Sequence, residues 1–120
     1  MRELDDVMPA ELIIHACDFI GVTPQDAYSK SREQRLMICR VLISYMLLYR
    51  GWSLPSVGRE IKRDHSTVVY HRGVILNKSD TLIRKELYRF RSYLLKQDIR
   101  LPSIPQFKKS LRFRENINNK

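Results

Sequence analysis

The stretch SLPSVGREIKRDHSTVVYHRGVILN, residues 53–77, decides the fold. Ser53 can cap a short helix that carries Pro55 in its first turn. Asp64 can cap a second helix that begins at His65. Because only a tight turn separates the two helices, the stretch predicts a helix-turn-helix.

Side chains suited to base edges lie at the start of the second helix. Asp64 and His65 stand at its N-terminal tip, the end that helix-turn-helix proteins insert into the major groove. A carboxylate can accept from the cytosine amino group, an imidazole can donate to purine acceptors, and hydroxyls can bond to either. Asp64 can also serve simply as the helix cap, and its residue type alone favours that role.

Helical spacing predicts that the second helix has two opposite faces. One face is expected to point toward the core and carries Val68, Val69, Ile75 and Leu76. The other is expected to point away from the core and carries Ser66, Thr67, Tyr70 and Val74.

The remaining sequence predicts an all-α fold. Further helices are predicted over residues 10–20, 24–27, 32–50 and 81–97. Ser31 is expected to cap the third helix of the chain, which is apolar almost all round and suits the centre of the core. Arg40 and Ser44, four apart, are expected to form its one wet side. Residues 1–97 are predicted to form a compact Trp-repressor-like domain with an extra C-terminal helix, and residues 98–120 a flexible basic tail.

The charge of the chain is strongly positive and unevenly distributed. Lys and Arg number 22 against 13 Asp and Glu, which gives a net charge of +9. The first 20 residues carry five acids and one arginine, so the excess of positive charge lies in the rest of the chain. A field of one sign favours a polyanionic partner such as nucleic acid, although a solvated basic surface is the plain alternative.

Several other classes of protein find no support in the sequence. Cys17 and Cys39 lack metal-ligand spacing and are expected to be buried free thiols in a reducing cytosol. His65 and His71 are six apart and cannot share a helix face as metal ligands, and no nucleophile motif is present. We therefore expect no enzymatic activity, no cofactor and no metal. The N-terminus is too polar for a signal peptide, and no apolar run is long enough for a membrane span.

Three segments together resemble one known family. They are RDHSTV at residues 63–68, SLPSVGREI at residues 53–61 and, upstream, DAYSKSREQR at residues 26–35 followed by Arg40. They resemble the C-terminal DNA-binding domain of DnaA, the bacterial chromosomal replication initiator, in which a basic loop precedes a long helix and the helix-turn-helix. The resemblance covers about residues 11–77.

The resemblance implies roles for individual residues. Asp64, His65 and Ser66 are implied to contact bases in the major groove of a DnaA-box-like site, and Thr67 to contact a base or the adjacent phosphate. Arg32 is implied to enter the neighbouring minor groove, where a narrow A·T-rich groove attracts arginine. Four more residues are implied to lie along the DNA backbone: Lys30, Arg40, Leu54 and Pro55. The predicted DNA-binding set is completed by Arg63 in the signature, Tyr70 on the outward face and Arg72, which can reach a phosphate.

The sequence also departs from that family. Ile61-Lys62 stand where the family usually has a glycine before Arg-Asp-His, which could alter the angle between the two helices. Gly73 weakens the second helix, and Val74 replaces a basic residue. No Walker A pattern occurs, so we expect a stand-alone domain without an ATPase module, as in a phage, plasmid or mobile-element protein.

The expected function is binding of double-stranded DNA at DnaA-box-like sites in the control of replication initiation. Two alternatives stay open: a transcriptional regulator or mobile-element protein that competes for host DnaA sites, and an adaptor that binds replication or transcription proteins. The adaptor would use the 81–97 helix and the acidic N-terminus. We expect a cytoplasmic, nucleoid-associated monomer or weak dimer that does not bind membranes.

Overall fold

Six helices make up most of residues 1–77 and 79–101, the part of the chain that the computed structural model describes. They are α1 (Pro9–Ile20), α2 (Pro24–Tyr28), α3 (Gln34–Tyr49), α4 (Leu54–Ile61), α5 (His65–Leu76) and α6 (Thr81–Lys96). Strand β1 (Arg2–Glu3) and a 3-10 turn (Leu4–Asp6) precede them, and strand β2 (Ile99–Arg100) follows. The predicted all-α class is confirmed.

Helix α3 forms the centre of the core. Its residues 38–48 are all buried, and α1, α4, α5 and α6 pack around it. An almost uniformly apolar helix has to be surrounded in this way, because any exposed side would leave large side chains in water. Even so, no helix in the described part of the chain is long and apolar enough to cross a membrane.

The expectation that Arg40 and Ser44 form a wet side of α3 is wrong. Arg40 is only 5% exposed, and Ser44 is completely buried. Each side chain finds its hydrogen-bond partners inside the protein, which is what allows a polar group to be buried on this helix. Those partners belong to the candidate site and are described below.

Three helix ends follow the local chemistry of the sequence, and the start of α3 does not. Gly21 ends α1 in the left-handed conformation at φ 90°, and Thr23 begins α2 with a capping box. Ser53 caps α4, since its hydroxyl accepts from the Ser56 N–H at 3.2 Å. The prediction that Ser31 caps α3 is wrong: its hydroxyl accepts from the Glu33 N–H, and the helix begins only at Gln34.

The segment after α6 belongs to the domain, although it was expected in the tail. β2 pairs in parallel with β1, with Arg2 opposite Ile99, and both Ile99 and Leu101 are buried. A pairing of two residues on each side is too short to show an alternating pattern, so no sequence pattern predicts it. The remainder of the predicted tail, residues 102–120, lies outside the described residues.

Helices α1 and α3 contact each other through the two cysteines. Cys17 and Cys39 are free, buried thiols whose sulfur atoms lie 3.9 Å apart. The prediction of buried free thiols is therefore confirmed. Small, apolar thiols suit this position because the two helix surfaces approach closely there.

Candidate nucleic-acid interface

The turn of the helix-turn-helix contains a lysine whose backbone is in the left-handed conformation. Lys62 follows the end of α4 with φ 59° and ψ 48°. The next residue, Arg63, donates its backbone N–H to the Gly58 carbonyl at 2.8 Å. Lys62 thus adopts the backbone conformation that glycine adopts most readily, and α5 begins three residues after it, at His65.

Gly58 lets the turn approach the backbone of α4. A Cβ atom at this position would lie 2.5 Å from the Arg63 carbonyl oxygen and 3.4 Å from the His65 nitrogen. No larger residue fits without displacing backbone, so Gly58 determines how α5 crosses α4. The sequence analysis missed this residue, although an isolated glycine inside a short helix was an available signal.

Helix α5 buries Val68, His71 and Ile75, which lie three and four residues apart. The predicted inward position of Val69 is wrong, because that side chain is 41% exposed. Val74 was expected to face outward but packs against the core. These corrections share one cause: His71 takes a core position, which rotates the buried face of the helix away from Val69.

A hydrogen bond holds His71 in the core. Its Nδ1 atom lies 2.8 Å from the hydroxyl oxygen of Ser44 on α3. Burial, and then the positive charges of Arg40 and Arg63, lower the pKa of His71 to about 4. The imidazole is therefore neutral at physiological pH, and the pair joins α5 to the central helix without burying a charge.

The tip of α5 is open to solvent. Asp64 occupies the N-cap position, but its side chain makes no capping hydrogen bond, so the favoured prediction of a side-chain cap is wrong. Asp64, His65 and Ser66 are all exposed, and Thr67 is half-buried. The carboxylate, imidazole and hydroxyl groups are thus available to a ligand at the start of the helix.

Two arginines fix the basic loop, residues 29–33 between α2 and α3, beside this tip. The Arg40 guanidinium donates to the carbonyl oxygens of Ala27, Ser29 and Ser31, each at 2.8 Å. Arg63 also donates to the Ser29 carbonyl, which ties the loop to the helix-turn-helix. Burial and the charge of Arg63 lower the pKa of Arg40 below its ordinary value. Arg40 therefore positions the loop, and its predicted contact with a phosphate stays a prediction.

A groove of about 850 Å³ lies between the basic loop and α5. Five cationic side chains and one carboxylate line it: Lys30, Arg32, Arg40, Lys62, Arg63 and Asp64. Ser31, Met37, Thr67, Tyr70 and His71 complete the lining. A concave surface with this excess of positive charge attracts anions.

The groove brings together seven of the predicted site residues: Lys30, Arg32, Arg40, Arg63, Asp64, Thr67 and Tyr70. The other five lie outside its lining. His65 and Ser66 stand at the exposed tip of α5, Leu54 and Pro55 begin α4, and Arg72 is half-buried on α5. Sequence analysis missed Lys62 and His71 as members of the site, because its signals were the motif residues and not the turn or the buried face.

An exposed helix tip beside a basic groove, carried by a helix-turn-helix, defines a DNA-binding domain of the helix-turn-helix class. The sequence matches the family described as bacterial DnaA protein helix-turn-helix over residues 9–75, more than half of the chain. The chain therefore belongs to this family, and the resemblance read from its motifs is confirmed. No solved structure matches the chain.

Proposed function

We propose that this protein binds double-stranded DNA at DnaA-box-like sites and acts in the control of replication initiation. The observation that carries the proposal is the exposed tip of α5, where Asp64, His65 and Ser66 stand beside the basic groove. Family membership supports duplex DNA as the partner. The choice of replication over transcription rests on the family alone.

The geometry supports contacts to two adjacent DNA grooves. In the proposed complex, α5 lies in the major groove with Asp64, His65 and Ser66 on base edges. The basic loop precedes α3 and carries Arg32 exposed, which suits insertion into the neighbouring minor groove. The outward Tyr70, 57% exposed on the same helix, faces the strand between the two grooves.

Contacts to phosphates complete the proposed complex. Lys30 is exposed on the basic loop, and Arg63 and Arg72 are half-buried beside and on α5. Leu54 and Pro55 begin α4, where the Leu54 N–H and the positive end of the helix dipole favour a phosphate. Pro55 has no N–H, and the Ser56 N–H bonds to the Ser53 hydroxyl. Such contacts fix the register of the protein on the duplex, while the base contacts provide its specificity.

Selection of bound sites from a random duplex pool tests the proposal, followed by measurements on the selected site. We expect His65→Ala and Ser66→Ala each to weaken binding to the selected site by about 1–3 kcal/mol and to leave binding to random duplex nearly unchanged. Ser92→Ala is the matched control, since Ser92 is exposed on α6 and does not line the groove. Equal losses on both duplexes for His65→Ala would contradict base reading.

A further inference from the structure

Lys62, in the turn of the helix-turn-helix, is one of two described non-glycine residues with a positive φ, the other being Asp98. It holds a left-handed conformation at φ 59°, which residues with a Cβ atom adopt at an energetic cost. Glycine would occupy the position without that cost. The backbone of the turn therefore favours glycine over lysine at this position.

The side chain of Lys62 reaches the groove. It is exposed, it lines the groove between the basic loop and α5, and its ammonium lies 5.4 Å from the centre of the Tyr28 ring. This contact to α2 holds the charge on the side of the turn that faces the basic loop. Among the described residues, no carboxylate lies within ion-pair distance of the ammonium.

The neighbouring charges favour an anion at this point. Lys30, Arg32 and Arg63 line the same groove as Lys62, and Asp64 is the single carboxylate among the described lining residues. Like charges at close range repel one another unless an anion stands between them. The attraction of Lys62 to Tyr28 is weak, since an exposed cation–π contact contributes only about 0.5–1 kcal/mol.

The path of DNA across the groove identifies the anion. Adjacent major and minor grooves of a duplex are separated by a single sugar–phosphate strand. If α5 occupies the major groove and Arg32 the minor groove, that strand has to cross the space between them, which is the basic groove. We propose that Lys62 binds a backbone phosphate of this strand, a contact that a glycine at the same position cannot make. This inference rests on the proposed function.

The salt dependence of duplex binding tests the inference on the full chain. Lys62→Gly removes the charge and suits the left-handed backbone, whereas Lys62→Arg keeps the charge. For Lys62→Gly we expect the slope of log affinity against log salt to become shallower by about 0.9, with affinity reduced roughly five- to tenfold at about 0.1 M salt. The loss should be similar on selected and random duplex, because a phosphate contact carries no sequence information.

Two controls separate this loss from other causes. Lys62→Arg should keep the slope of the unmodified chain, and so should Lys85→Ala, which removes an exposed charge from α6 outside the groove. Thermal unfolding of Lys62→Gly should occur at the same temperature or higher, so weaker binding cannot come from misfolding. If Lys62→Gly binds duplex with an unchanged slope, the phosphate contact is refuted while the proposed function stands. If the unmodified chain binds no duplex, both fail.

Discussion

His71 shows how a single polar residue can join α5 to the core. Its side chain is 2% exposed and shares a 2.8 Å hydrogen bond with Ser44. An apolar residue would fill the position more simply, but it would leave the buried Ser44 hydroxyl without this partner. His71 is also a titratable group inside the contact between α5 and α3.

The buried imidazole makes stability depend on pH. His71 titrates near pH 4 in the folded protein and near its ordinary value of 6.5 when unfolded, so between these values the unfolded chain binds more protons. We therefore expect the free energy of unfolding to fall by about 3 kcal/mol as the pH is lowered from 6.5 to 4. Denaturant unfolding at several pH values measures this change.

A double variant isolates the contribution of His71 from other titrating groups. Ser44→Ala combined with His71→Leu removes both polar groups, and the fall in stability between pH 6.5 and 4 should shrink by about 3 kcal/mol. His65→Asn is the matched control, because it removes an exposed histidine from the same helix and leaves His71 and Ser44 in place. Identical pH profiles for the double variant and the unmodified chain would contradict a buried neutral His71.

Sequence reasoning failed at the buried polar residues for a physical reason. Helix α3 is apolar on nearly all sides, so its pattern does not reveal an orientation for Arg40 or Ser44. Their burial depends on partners far away in the sequence: the carbonyls of Ala27 and Ser29 for Arg40, and the ring of His71 for Ser44. Periodicity is a local signal and carries no information about such contacts.

At the scale of the elements, the helix-turn-helix contains two glycines with opposite effects on its stability. Gly58 on α4 contacts the turn so closely that a methyl group would meet the Arg63 carbonyl oxygen. Gly73 on α5 has no heavy atom within 4 Å of where its Cβ would be. The first glycine is required by packing, while the second only lowers the helix propensity of α5.

Alanine at each glycine tests this difference. Gly58→Ala should destabilise the fold by about 1–3 kcal/mol, because α5 has to move away from α4. Gly73→Ala should stabilise the fold by up to about 1 kcal/mol, because the added methyl group enters open space and favours the helix. Denaturant unfolding of both variants gives the two values. Unchanged or higher stability of Gly58→Ala would refute the close approach at Gly58.

Sequence patterns were most reliable for the existence of elements. All six helices were predicted, because caps such as Thr23 and Ser53 and the apolar spacing of α6 are local features. The missing family glycine could alter the angle between the two helices, and that stays a prediction. The structure shows that Lys62 itself takes up the left-handed conformation, which no propensity scale would have favoured.

At the scale of the whole molecule, the N-terminal strand pairs with the strand that follows α6. β1 and β2 pair in parallel, and Ile99 and Leu101 are buried against the core. Arg50, which directly follows α3, donates to the Val7 carbonyl at 2.7 Å, so the N-terminal segment lies at the C-terminal end of the central helix. Arg50 is ten positions after Arg40, which places this corner about 15 Å along the helix axis from Arg40.

Truncation measures how much β2 and Leu101 contribute to the free energy of unfolding. A chain that ends at Gln97 loses both buried side chains, whereas a chain that ends at Leu101 keeps them and is the matched control. Burial of Ile99 and Leu101 is worth about 3–6 kcal/mol in total, so the shorter chain should be less stable by roughly that amount. Equal unfolding free energies for the two chains would show that the domain ends before β2.

The three carbonyl oxygens on the Arg40 guanidinium have a consequence for the thermodynamics of recognition. Because the Arg40 guanidinium already orders the basic loop, the loop has lost its conformational entropy before any ligand binds. That cost is about 1–2 kcal/mol for each ordered residue. Complex formation does not have to offset that cost again. In the proposed complex the basic loop is already ordered, so the heat-capacity change on DNA binding should report buried surface and not the folding of this segment.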